Sequence, residues 1–367
     1  MIILFAETDI LIVGSGPAGS VTARYAAEQG LKVTFIEQRP EVGVPVRCGE
    51  LVPSVEEIQG MFPNLTDAES LFDMPDSLKR RQIEGIRLTD PKGRDYNFPF
   101  TGYTTDRDRF DQYLADKAVE AGAELIKSCR FTDASDGVAH TNQGDIAYKV
   151  IIGADGPGSR TAKALGLPKN RNPYPAVTSI AKGDFDPVVH MFFGGIAPGA
   201  YGWIIPKDGE ANIGVGFSPK FANGSLGEYM DKFAARQNLV PVKKLEGKFV
   251  PSEGPIAKTY TDNGMLVGDS AGFVISVNGG GIPLAMIAGR ICANAAVEKI
   301  RNDVSLDHYQ PAWDNVLGES LRIAAKNKKL ADTFAFHTDW TTGFCMRFLG
   351  TKRMGNLIRC KHLFFGN

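Results

Sequence analysis

The sequence predicts a mixed α/β protein, α+β overall, in which a domain with a buried parallel sheet is combined with an antiparallel-sheet domain and a C-terminal helical segment. Three observations support this prediction. A strand–turn–helix–strand pattern occupies residues 8–37, two later apolar runs each end in glycine and aspartate, and residues 174–218 are rich in β-branched and aromatic side chains between turn signals. A chain of 367 residues is long enough for two or three domains.

Composition and charge narrow the function classes. The formal net charge of −1 gives no reason to expect a nucleic-acid partner. The five cysteines are an odd number without C-x-x-C spacing, so we predict neither a metal site nor a disulfide scaffold. The N-terminal "MIILFAETDILIVG" lacks a basic segment and a cleavage site, and no run of about 18 apolar residues occurs. We therefore expect a cytoplasmic protein without a membrane span.

The unit at residues 8–37 is the strongest signal. Gly14 allows a tight turn, Gly16 lets the backbone approach a pyrophosphate, and Gly19 lets the helix pack closely on the strand. The helix start offers free N–H groups to phosphates, and an acid at the end of the second strand accepts hydrogen bonds from a ribose without a 2′-phosphate. We therefore predict a Rossmann-type site for FAD or NAD, formed by Gly14, Gly16, Pro17, Ala18, Gly19 and Glu37.

Two later stretches distinguish between these dinucleotides. Residues 149–166 contain a strand that ends in Gly-Ala-Asp-Gly, and residues 264–296 contain one that ends in Gly-Asp before a glycine-opened helix. A carboxylate after such a strand can bind a ribityl hydroxyl, and the helix start can bind a flavin pyrimidine carbonyl. Each stretch alone is equally well explained as a turn at a strand end, but all three in this order favour FAD. The additional predicted FAD contacts are Asp155, Gly156, Gly268, Asp269, Gly280, Gly281 and Ile282.

The motifs GSGPAG, GADG and GDSAG, taken in order, resemble the FAD-dependent aromatic-hydroxylase superfamily over roughly residues 8–300. In that superfamily the flavin domain is assembled from both ends of the chain. The segment "TTDRDRFDQYLADKA" resembles its R-x-x-F-D motif, which implies that Arg107 contacts the flavin nucleotide. The resemblance also implies flavin contacts at Arg47, Cys48, Gly49, Leu51 and Phe131.

A second sheet is predicted from two separate stretches. Residues 78–102 alternate around a "DPKG" turn as a β-hairpin does, and residues 174–218 have the turn signals of an antiparallel meander. We therefore predict a discontinuous FAD-binding domain, a substrate domain that contains the second sheet, and a helical end. The predicted boundaries are 1–77, 103–173 and 259–302 for the first, 78–102 and 174–258 for the second, and 303–367 for the third.

The second sheet includes "YGWIIPKDGEANIGVG", residues 201–216. Tyr201 and Trp203 alternate along a strand, so both side chains are expected on one face, and Pro206 is expected to end that strand before a "KDGE" turn. Two aromatic side chains filling the core between a sheet and its neighbour would give the same pattern. The Y-x-W-x-x-P segment followed by N-x-G nevertheless resembles the signature of geranylgeranyl reductases, with archaeal digeranylgeranylglycerophospholipid reductases the best match. Ile205 stands where that signature usually has Phe.

This resemblance implies an FAD-dependent reductase that saturates C=C bonds of geranylgeranyl chains in archaeal ether phospholipids. The reaction requires a hydride from N5 of reduced flavin and a proton for the other carbon, within a dry apolar tunnel. Cys48 and Tyr201 are the candidate proton donors, and Trp203 completes the predicted catalytic set. Cys48-Gly49 matches a Cys-Gly pair of these reductases, although a small buried hydrophobe is the commonest state of a free cysteine. The predicted substrate contacts are Tyr201, Trp203, Pro206, Phe192, Phe193 and Phe217.

Two other function classes stay open from the sequence. Halogenases and monooxygenases of aromatic substrates belong to the same superfamily, and a W-x-W-x-I-P segment of the halogenases is matched except at Tyr201. Halogenases also need a lysine near the flavin, for which Lys79 is a candidate, although "SLKRRQ" is more simply a solvated charge cluster. A flavoprotein that carries electrons to quinone is the third alternative. Because no second G-x-G-x-x-G follows a strand, the expected electron donor is either transiently bound NAD(P)H or a ferredoxin.

The segment from Trp340 to Asn367 contains no acidic residue and alternates basic with apolar and aromatic side chains, including Phe364 and Phe365. This composition suits an anionic membrane surface or a phosphate headgroup, so we expect a peripheral protein on the cytoplasmic face of the cell membrane. A docked helix with a charged outer face would give the same composition. Cys345 and Cys360 are also close enough in sequence to form a disulfide.

Overall fold

The computed structural model describes residues 4–363. The first of its sheets has seven strands and is largely parallel. Its strands are β1 (Leu4–Val13), β2 (Val33–Ile36), β6 (Glu124–Ile126), β7 (Phe131–Ser135), β8 (Val138–Thr141), β9 (Gly144–Gly153) and β15 (Gly264–Leu266). Their order is β6-β2-β1-β9-β8-β7, with β15 paired to β9. Because β1, β2 and β9 are parallel, their carboxyl ends meet at one edge, where such sheets bind ligands.

An eight-stranded sheet forms the second half of the fold, in the order β14-β10-β13-β12-β11-β4-β5-β3. Helix α6 covers one face of this sheet, and helix α10 packs against the other. The strands are β3 (Leu51–Pro53), β4 (Gln82–Thr89), β5 (Asp95–Thr104), β10 (Tyr174–Lys182), β11 (Val188–Phe192), β12 (Gly202–Lys207), β13 (Glu210–Gly216) and β14 (Glu246–Val250). The helices α6 (Leu226–Arg236) and α10 (Asp339–Ile358) come from different parts of the chain.

The second sheet departs from the predicted connectivity in two ways. The hairpin β4–β5 is as predicted, but β10 pairs with β13 and β14 instead of β11, while β11 pairs in parallel with β4. The stretch 174–218 is therefore not a simple meander. Strand β3 also joins this sheet through β5, although residues 1–77 were assigned to the FAD-binding domain. The domain boundaries themselves stay a prediction.

Pro206 does not end its strand, contrary to the sequence prediction. It lies inside β12 and pairs with Ala211 of β13. On its other side β12 pairs with β11 only from Gly202 to Ile204, so Pro206 lies beyond the paired residues and its missing N–H removes no bond to β11. The carbonyl oxygen of Pro206 accepts a hydrogen bond from Thr104 Oγ1 at 3.1 Å instead.

Helices flank the sheets and form the C-terminal region as predicted. The small side chains of α1 and α7 allow close packing, because a Cβ on Gly289 would lie 2.8 Å from the Ala18 carbonyl oxygen. The remaining helices are α1 (Pro17–Glu28), α2 (Val55–Met61), α3 (Ala68–Phe72), α4 (Arg107–Glu120), α5 (Arg160–Ala164), α7 (Ile282–Asn302), α8 (Tyr309–Trp313) and α9 (Glu319–Phe334). Short 3-10 turns occupy Asp76–Leu78, Gly268–Ala271 and Leu306–His308, and a π turn occupies Asp314–Gly318.

The basic and aromatic segment that begins at Trp340 lies largely in α10, and this helix is interrupted once. Gly350, with φ of 65°, interrupts the helical conformation inside α10. Cys345 and Cys360 are both free thiols, so the suggested disulfide does not form in this structure. Phe364 and Phe365, named above as part of the basic and aromatic end, lie outside the described residues. Within residues 4–363 we find no helix with the length and apolarity needed to cross a bilayer.

Candidate active site

A polar cleft of about 740 Å³ lies at the carboxyl edge of the parallel sheet. The turn after β1 forms its floor, and only glycine fits there. Gly14 has φ of +107°, and a Cβ on it would lie 2.4 Å from the Ala154 carbonyl oxygen. A Cβ on Gly19 would lie 1.9 Å from the carbonyl oxygen of Gly14. Open space beside Gly16 leaves its backbone accessible to a ligand.

Glu37 lies at the end of β2 beside this turn, as predicted for a ribose-binding acid. Its carboxylate accepts hydrogen bonds from Ser15 Oγ at 2.9 Å and from the backbone N–H of Arg39 at 3.0 Å. These bonds fix the direction of the side chain toward the cleft, which Glu37 lines. The acid and the free N–H groups at the start of α1 therefore face the same space, as a dinucleotide requires.

Two ion pairs also line the cleft. Arg107 donates two hydrogen bonds of 2.9 Å to Asp111, and Lys248 lies 2.7 Å from Asp269. Burial alone would lower the pKa of Arg107, but Asp111 and Cys48 outweigh it and the pKa is raised. The same holds for Lys248, whose pKa is raised by Asp269 and Cys48 against the effect of burial. Both cations therefore stay charged beside the cleft.

Asp155 lines the cleft but is already engaged in capping α5. It accepts hydrogen bonds from Ser159 Oγ at 2.5 Å, from the Arg160 N–H at 2.8 Å and from the Thr161 N–H at 3.0 Å. Its predicted contact with a ribityl hydroxyl must use the remaining lone-pair capacity of the carboxylate. Asp269 lies in the 3-10 turn Gly268–Ala271 and holds Lys248 with one oxygen, while its other oxygen lies beside Gly281, the residue before α7.

The cleft fits FAD by its shape and donor set. The cleft is lined by a glycine turn that has no room for a Cβ and by the start of α1. It is also lined by the acid Glu37 and by two cations, Arg107 and Lys248. The predicted FAD contacts that line this cleft are Gly14, Gly16, Pro17, Ala18, Glu37, Arg47, Cys48, Arg107, Phe131, Asp155, Gly156, Asp269, Gly281 and Ile282.

Five predicted FAD contacts lie elsewhere. Gly19 and Gly268 line neither cavity, because both are packing positions: a Cβ on Gly268 would lie 2.8 Å from the Cβ of Ala18. Gly49, Leu51 and Gly280 line a second, apolar cavity. Leu51 lies there because β3 pairs with β5 and so carries it into the second sheet.

This apolar cavity, of about 260 Å³, lies between the second sheet and the C-terminal helices. Its walls are mainly hydrophobic side chains from strands β4, β11 and β12 and from α10. Tyr201 and Trp203 line it from the same face, as predicted, with ring centroids 6.0 Å apart. Apolar walls of this kind bind hydrocarbon and exclude water.

Three predicted substrate contacts do not line the cavity. Phe192 packs against Phe233 of α6, and Phe217 packs against Tyr229 of the same helix, so both face the other side of the sheet. Pro206 is buried inside β12. Phe193, next to Phe192, points the opposite way and lines the cavity, because side chains alternate along an extended chain.

Cys48 lies where the two cavities meet, since it lines both. Its sulfur accepts a hydrogen bond from the backbone N–H of Glu50 at 3.2 Å. The thiol is close enough to interact electrostatically with Arg107, Lys248 and Tyr201. The cysteine predicted at the flavin edge is therefore placed between the polar cleft and the apolar cavity.

Asn212 holds this junction together, a role that the sequence did not reveal. Its amide nitrogen donates to the Cys48 carbonyl oxygen and to Glu50 Oε2, both at 2.8 Å. Its amide oxygen accepts from Trp203 Nε1 at 2.9 Å. A Cβ on Gly214 would lie 2.1 Å from Trp203 Cζ2, so the N-x-G pair both bonds the indole and leaves room for it.

A buried charge network lies directly behind Asn212. Lys207 Nζ contacts Glu50 Oε2 at 2.7 Å and Asp106 Oδ1 at 2.8 Å, and the side chains of Lys207 and Glu50 are each 3% exposed. Burial alone would lower the pKa of Lys207, but Glu50 and Asp106 raise it. Lys207, Lys248 and Lys328, which lines the apolar cavity, are functional candidates that sequence reasoning missed. A single lysine within or beside a hydrophobic run gives no sequence signal.

The hydroxyl of Tyr201, a predicted candidate proton donor, is bonded to the backbone. Its hydroxyl donates to the backbone carbonyl oxygen of Asn278 in the loop before α7. Burial raises the pKa of Tyr201 well above its ordinary value. The hydroxyl therefore ties the apolar cavity to the loop that borders the cleft. Lys79, the lysine considered for a halogenase, pairs with Asp76 at 2.8 Å and lines neither cavity.

Comparison with known families agrees with both halves of this site. Residues 176–248 match the model of the geranylgeranyl reductase catalytic domain, and residues 12–60 match that of the NAD(P)-binding Rossmann-like domain. A digeranylgeranylglycerophospholipid reductase of Methanocaldococcus jannaschii is 34% identical over 351 residues, which cover 88% of this chain and 86% of the relative. One of Methanosarcina acetivorans is 35% identical over 349 residues, which cover 86% of this chain and 83% of the relative.

Solved structures show the same architecture. The crystal structure of a geranylgeranyl bacteriochlorophyll reductase-like protein from Thermoplasma acidophilum aligns with a TM-score of 0.79 and 29% identity, covering 88% of this chain and 87% of that one. A flavin-dependent brominase aligns with a TM-score of 0.73 and 18% identity, covering 96% of this chain and 92% of that one. At that identity the brominase shows a shared fold.

The fold and the cleft define an FAD-dependent flavoprotein oxidoreductase, with a hydrophobic cavity beside the flavin site. Within that class, the chain belongs to the geranylgeranyl reductase family.

Proposed function

We propose that the protein reduces C=C bonds in the geranylgeranyl chains of a digeranylgeranylglycerophospholipid during archaeal-type membrane lipid biosynthesis. The observation that carries the proposal is the junction at Cys48, where a cleft that fits FAD meets a cavity lined mainly by hydrocarbon and aromatic side chains. The relatives named as reductases of this lipid support the choice of substrate.

The residues of the chain have separable tasks in such a reaction. Bound FAD in its reduced form supplies a hydride from N5. The protein must hold the alkene beside that position, exclude water and deliver a proton to the other carbon. Phe193, Tyr201 and Trp203 line the cavity next to the junction, so they are suited to hold the chain and exclude water.

Cys48 is the better candidate for the proton donor. The Tyr201 hydroxyl is committed to the Asn278 carbonyl oxygen, whereas the Cys48 thiol lies at the junction itself. Arg107 and Lys248 lie near the sulfur, and neighbouring cations stabilise the thiolate that is left when the proton is given up. Cys48 is therefore proposed as the catalytic acid, and Tyr201 and Trp203 as residues that position the substrate.

Cys48→Ala tests this assignment. We expect the variant to retain FAD, because the glycine turn and Glu37 are untouched, and to lose about a hundredfold in turnover, the order expected for a missing general acid. Flavin absorbance measures cofactor content, and reoxidation of the anaerobically reduced flavin by a geranylgeranyl lipid measures turnover. Cys345→Ala, a matched change on α10 away from both cavities, is expected to behave as wild type. If Cys48→Ala loses its flavin or unfolds, the thiol serves packing and not catalysis.

The substrate is tested by mass spectrometry of lipids from cells that co-express an ether-lipid pathway and a reductant. Reduction adds two hydrogens for each double bond, so the lipid masses should rise. NAD(P)H and ferredoxin are distinguished by supplying each to the purified protein without oxygen. Unchanged lipid masses with a functional donor would contradict the reductase proposal. Turnover that requires oxygen and an aromatic compound would favour a monooxygenase or halogenase, and reduction of quinone alone would favour an electron carrier.

We further propose that the protein acts on the cytoplasmic face of the cell membrane through an aromatic surface on α9 and α10. This surface consists of Phe334, Trp340, Phe344 and Phe348, each more than half exposed, with Trp340 and Phe344 stacked at 5.5 Å. Such exposed aromatic side chains, accompanied by basic residues, are typical of interfacial binding. Helix α10 and the turn that precedes it also wall the apolar cavity through Leu357, Ile358 and Phe336, which would give a lipid chain a short path from the bilayer.

Vesicle sedimentation tests the aromatic surface. The double variant Trp340→Ser, Phe344→Ser is expected to bind vesicles rich in anionic lipid about tenfold more weakly than wild type, because it removes most of the stacked apolar area. Val240→Ser, which changes an exposed apolar residue before β14, serves as the control. Equal sedimentation of all three proteins would exclude this surface as the membrane contact.

A further inference from the structure

Lys328 is an unusual residue in the wall of the apolar cavity. It lies on α9, its side chain is only 8% exposed, and its neighbours in the wall include Ala331 and Phe336. Burial lowers the pKa of Lys328 below its ordinary value, although Asp332 opposes the shift. Lysine is rarely buried in proteins. A buried ion pair is seldom retained for stability alone, because hydrophobic side chains in its place are often neutral or stabilising.

The contacts of Lys328 leave it able to bind a further group. Among residues 4–363, its ammonium donates to the Tyr174 hydroxyl oxygen at 2.6 Å and to Asp332 Oδ1. An ammonium has three N–H donors, so these two bonds leave one for a ligand. Tyr174 in turn donates to Asp332 Oδ2 at 3.2 Å, and Lys220 adds a second positive charge nearby. Asp332 and Glu253 balance the two lysines in charge, so the remaining N–H of Lys328 is the feature that can receive an anion.

The position of Lys328 matches the shape of an amphiphile. Hydrocarbon side chains surround the cavity next to it, and the aromatic surface of Phe334 and Trp340 begins within a few residues along α9 and the following turn. An anionic lipid whose chain reached Cys48 would keep its polar end close to the membrane surface, which is where α9 stands.

We propose that Lys328, held in place by Tyr174 and Asp332, binds the phosphate group of an amphiphilic lipid whose isoprenoid chain occupies the apolar cavity. This inference rests on the proposed function, and it assigns the polar end of the same substrate. The phosphate belongs to the lipid headgroup or to a prenyl diphosphate, which present the same chemistry to the ammonium. Lys328 therefore selects phosphate-bearing substrates over uncharged ones, while Cys48 acts on the chain.

The kinetic test compares three geranylgeranyl substrates on the FAD-loaded enzyme: the digeranylgeranylglycerol phosphate lipid, geranylgeranyl diphosphate and uncharged geranylgeraniol. For Lys328→Gln we expect the KM of the phosphate substrates to rise about tenfold, the effect of one lost charged hydrogen bond, with little change in kcat. The KM of geranylgeraniol should not change. Lys329→Gln removes the same charge from the exposed neighbouring residue and is expected to leave every KM unchanged. A rise for only one phosphate substrate identifies which source the site recognises.

Two results would overturn the proposal. An equal rise in KM for geranylgeraniol would show that Lys328 shapes the apolar cavity, and an unchanged KM for both phosphate substrates would show that it does not bind the anion.

A second variant tests the opposite change. Asp332→Asn removes the competing carboxylate and is expected to lower the KM of the phosphate substrates and not that of geranylgeraniol.

A binding measurement separates this inference from the proposed reaction. Hexadecyl phosphate, which has no double bond to reduce, is titrated against the flavin absorbance of wild type and Lys328→Gln, beside hexadecanol and inorganic phosphate. We expect about tenfold weaker binding of hexadecyl phosphate to the variant and equal binding of hexadecanol. If the variant binds hexadecyl phosphate more weakly but the enzyme reduces no alkene, the proposed function is contradicted and the phosphate site is still supported. Inorganic phosphate binding as tightly as hexadecyl phosphate would overturn a lipid site.

Discussion

The two cavities of this protein differ in the groups that form their walls. The polar cleft depends on backbone at three places: the turn at Gly14 and Gly16, the start of α1 and the start of α7. The apolar cavity is formed by side chains from strands and helices that are far apart in sequence, such as Ile86, Met191 and Leu357. A backbone site needs glycine at defined positions, and a side-chain site needs only apolar volume. The first is therefore intolerant of small changes, and the second is tolerant of many.

The boundary between the cavities combines both kinds of construction. Cys48 and Gly49 supply backbone and a thiol, and Asn212 reaches from β13 to hold the Cys48 carbonyl oxygen and the Trp203 indole together. The buried pair of Lys207 and Glu50 supports that amide. The position of the catalytic candidate thus depends on a polar network that belongs to neither cavity alone.

The largest effect should come from the backbone site. Gly14→Ala places a Cβ 2.4 Å from the Ala154 carbonyl oxygen at φ of +107°, so the turn must open and FAD binding should weaken at least about tenfold. Flavin content after purification and a calorimetric titration with FAD measure this. Gly60→Ala makes the same chemical change inside α2, where a Cβ meets nothing within 4 Å, and should retain full flavin. Normal FAD binding by Gly14→Ala would contradict the assignment of the turn.

The boundary network should give the largest effect on stability, a different measure from FAD binding. Lys207→Met leaves Glu50 and Asp106 without their shared cation, and removing one partner of a buried pair destabilises by about 3–5 kcal/mol. Urea unfolding measures the change in the free energy of unfolding. The matched change Lys182→Met breaks an exposed pair with Glu210 on the same sheet and should reduce stability by less than about 1 kcal/mol. Similar losses for the two variants would show that the network is not tightly buried.

The same network predicts a pH dependence. Burial acts to raise the pKa of Asp106, but Lys207 and Arg80 outweigh it and hold the pKa below the ordinary value of 3.8. A carboxyl with a lowered pKa stabilises the fold fully above that ordinary value, and the contribution is lost as the pH falls through the lowered pKa. Unfolding curves of wild type and Lys207→Met should therefore differ most above about pH 4 and converge below it. A difference that grew on acidification would contradict this sign.

The smallest effect should come from the wall of the apolar cavity. Tyr201→Phe removes a hydroxyl that donates to the Asn278 carbonyl oxygen and retains the ring. We expect a stability loss of about 1 kcal/mol and a turnover within a few-fold of wild type. Steady-state kinetics of Tyr201→Phe and Cys48→Ala, measured under the same conditions, compare the turnover of the two variants. A loss in Tyr201→Phe as large as that in Cys48→Ala would transfer the role of proton donor to the tyrosine.

Much of the cleft was predictable from the sequence, and less of the apolar cavity was. The glycine turn, Glu37, Arg107 and Asp269 line the cleft as expected, because each follows a strand end that local sequence defines. Phe192 and Phe217 were assigned to the substrate, but the strand pairing turns them toward α6. Pro206 was predicted to end its strand, but it lies inside β12, where the pairing with β11 has already stopped at Ile204.

Local sequence was enough to predict the Rossmann-type unit, the hairpin β4–β5, the shared face of Tyr201 and Trp203, and the likeness to geranylgeranyl reductases. These features depend on residues close together in the chain, where dihedral preferences and side-chain alternation decide the result. Only the tertiary structure brought Asn212 to Cys48 and placed Lys328 in the wall of the apolar cavity. Those contacts join residues more than a hundred positions apart, so they depend on strand order and helix docking, which no local pattern encodes.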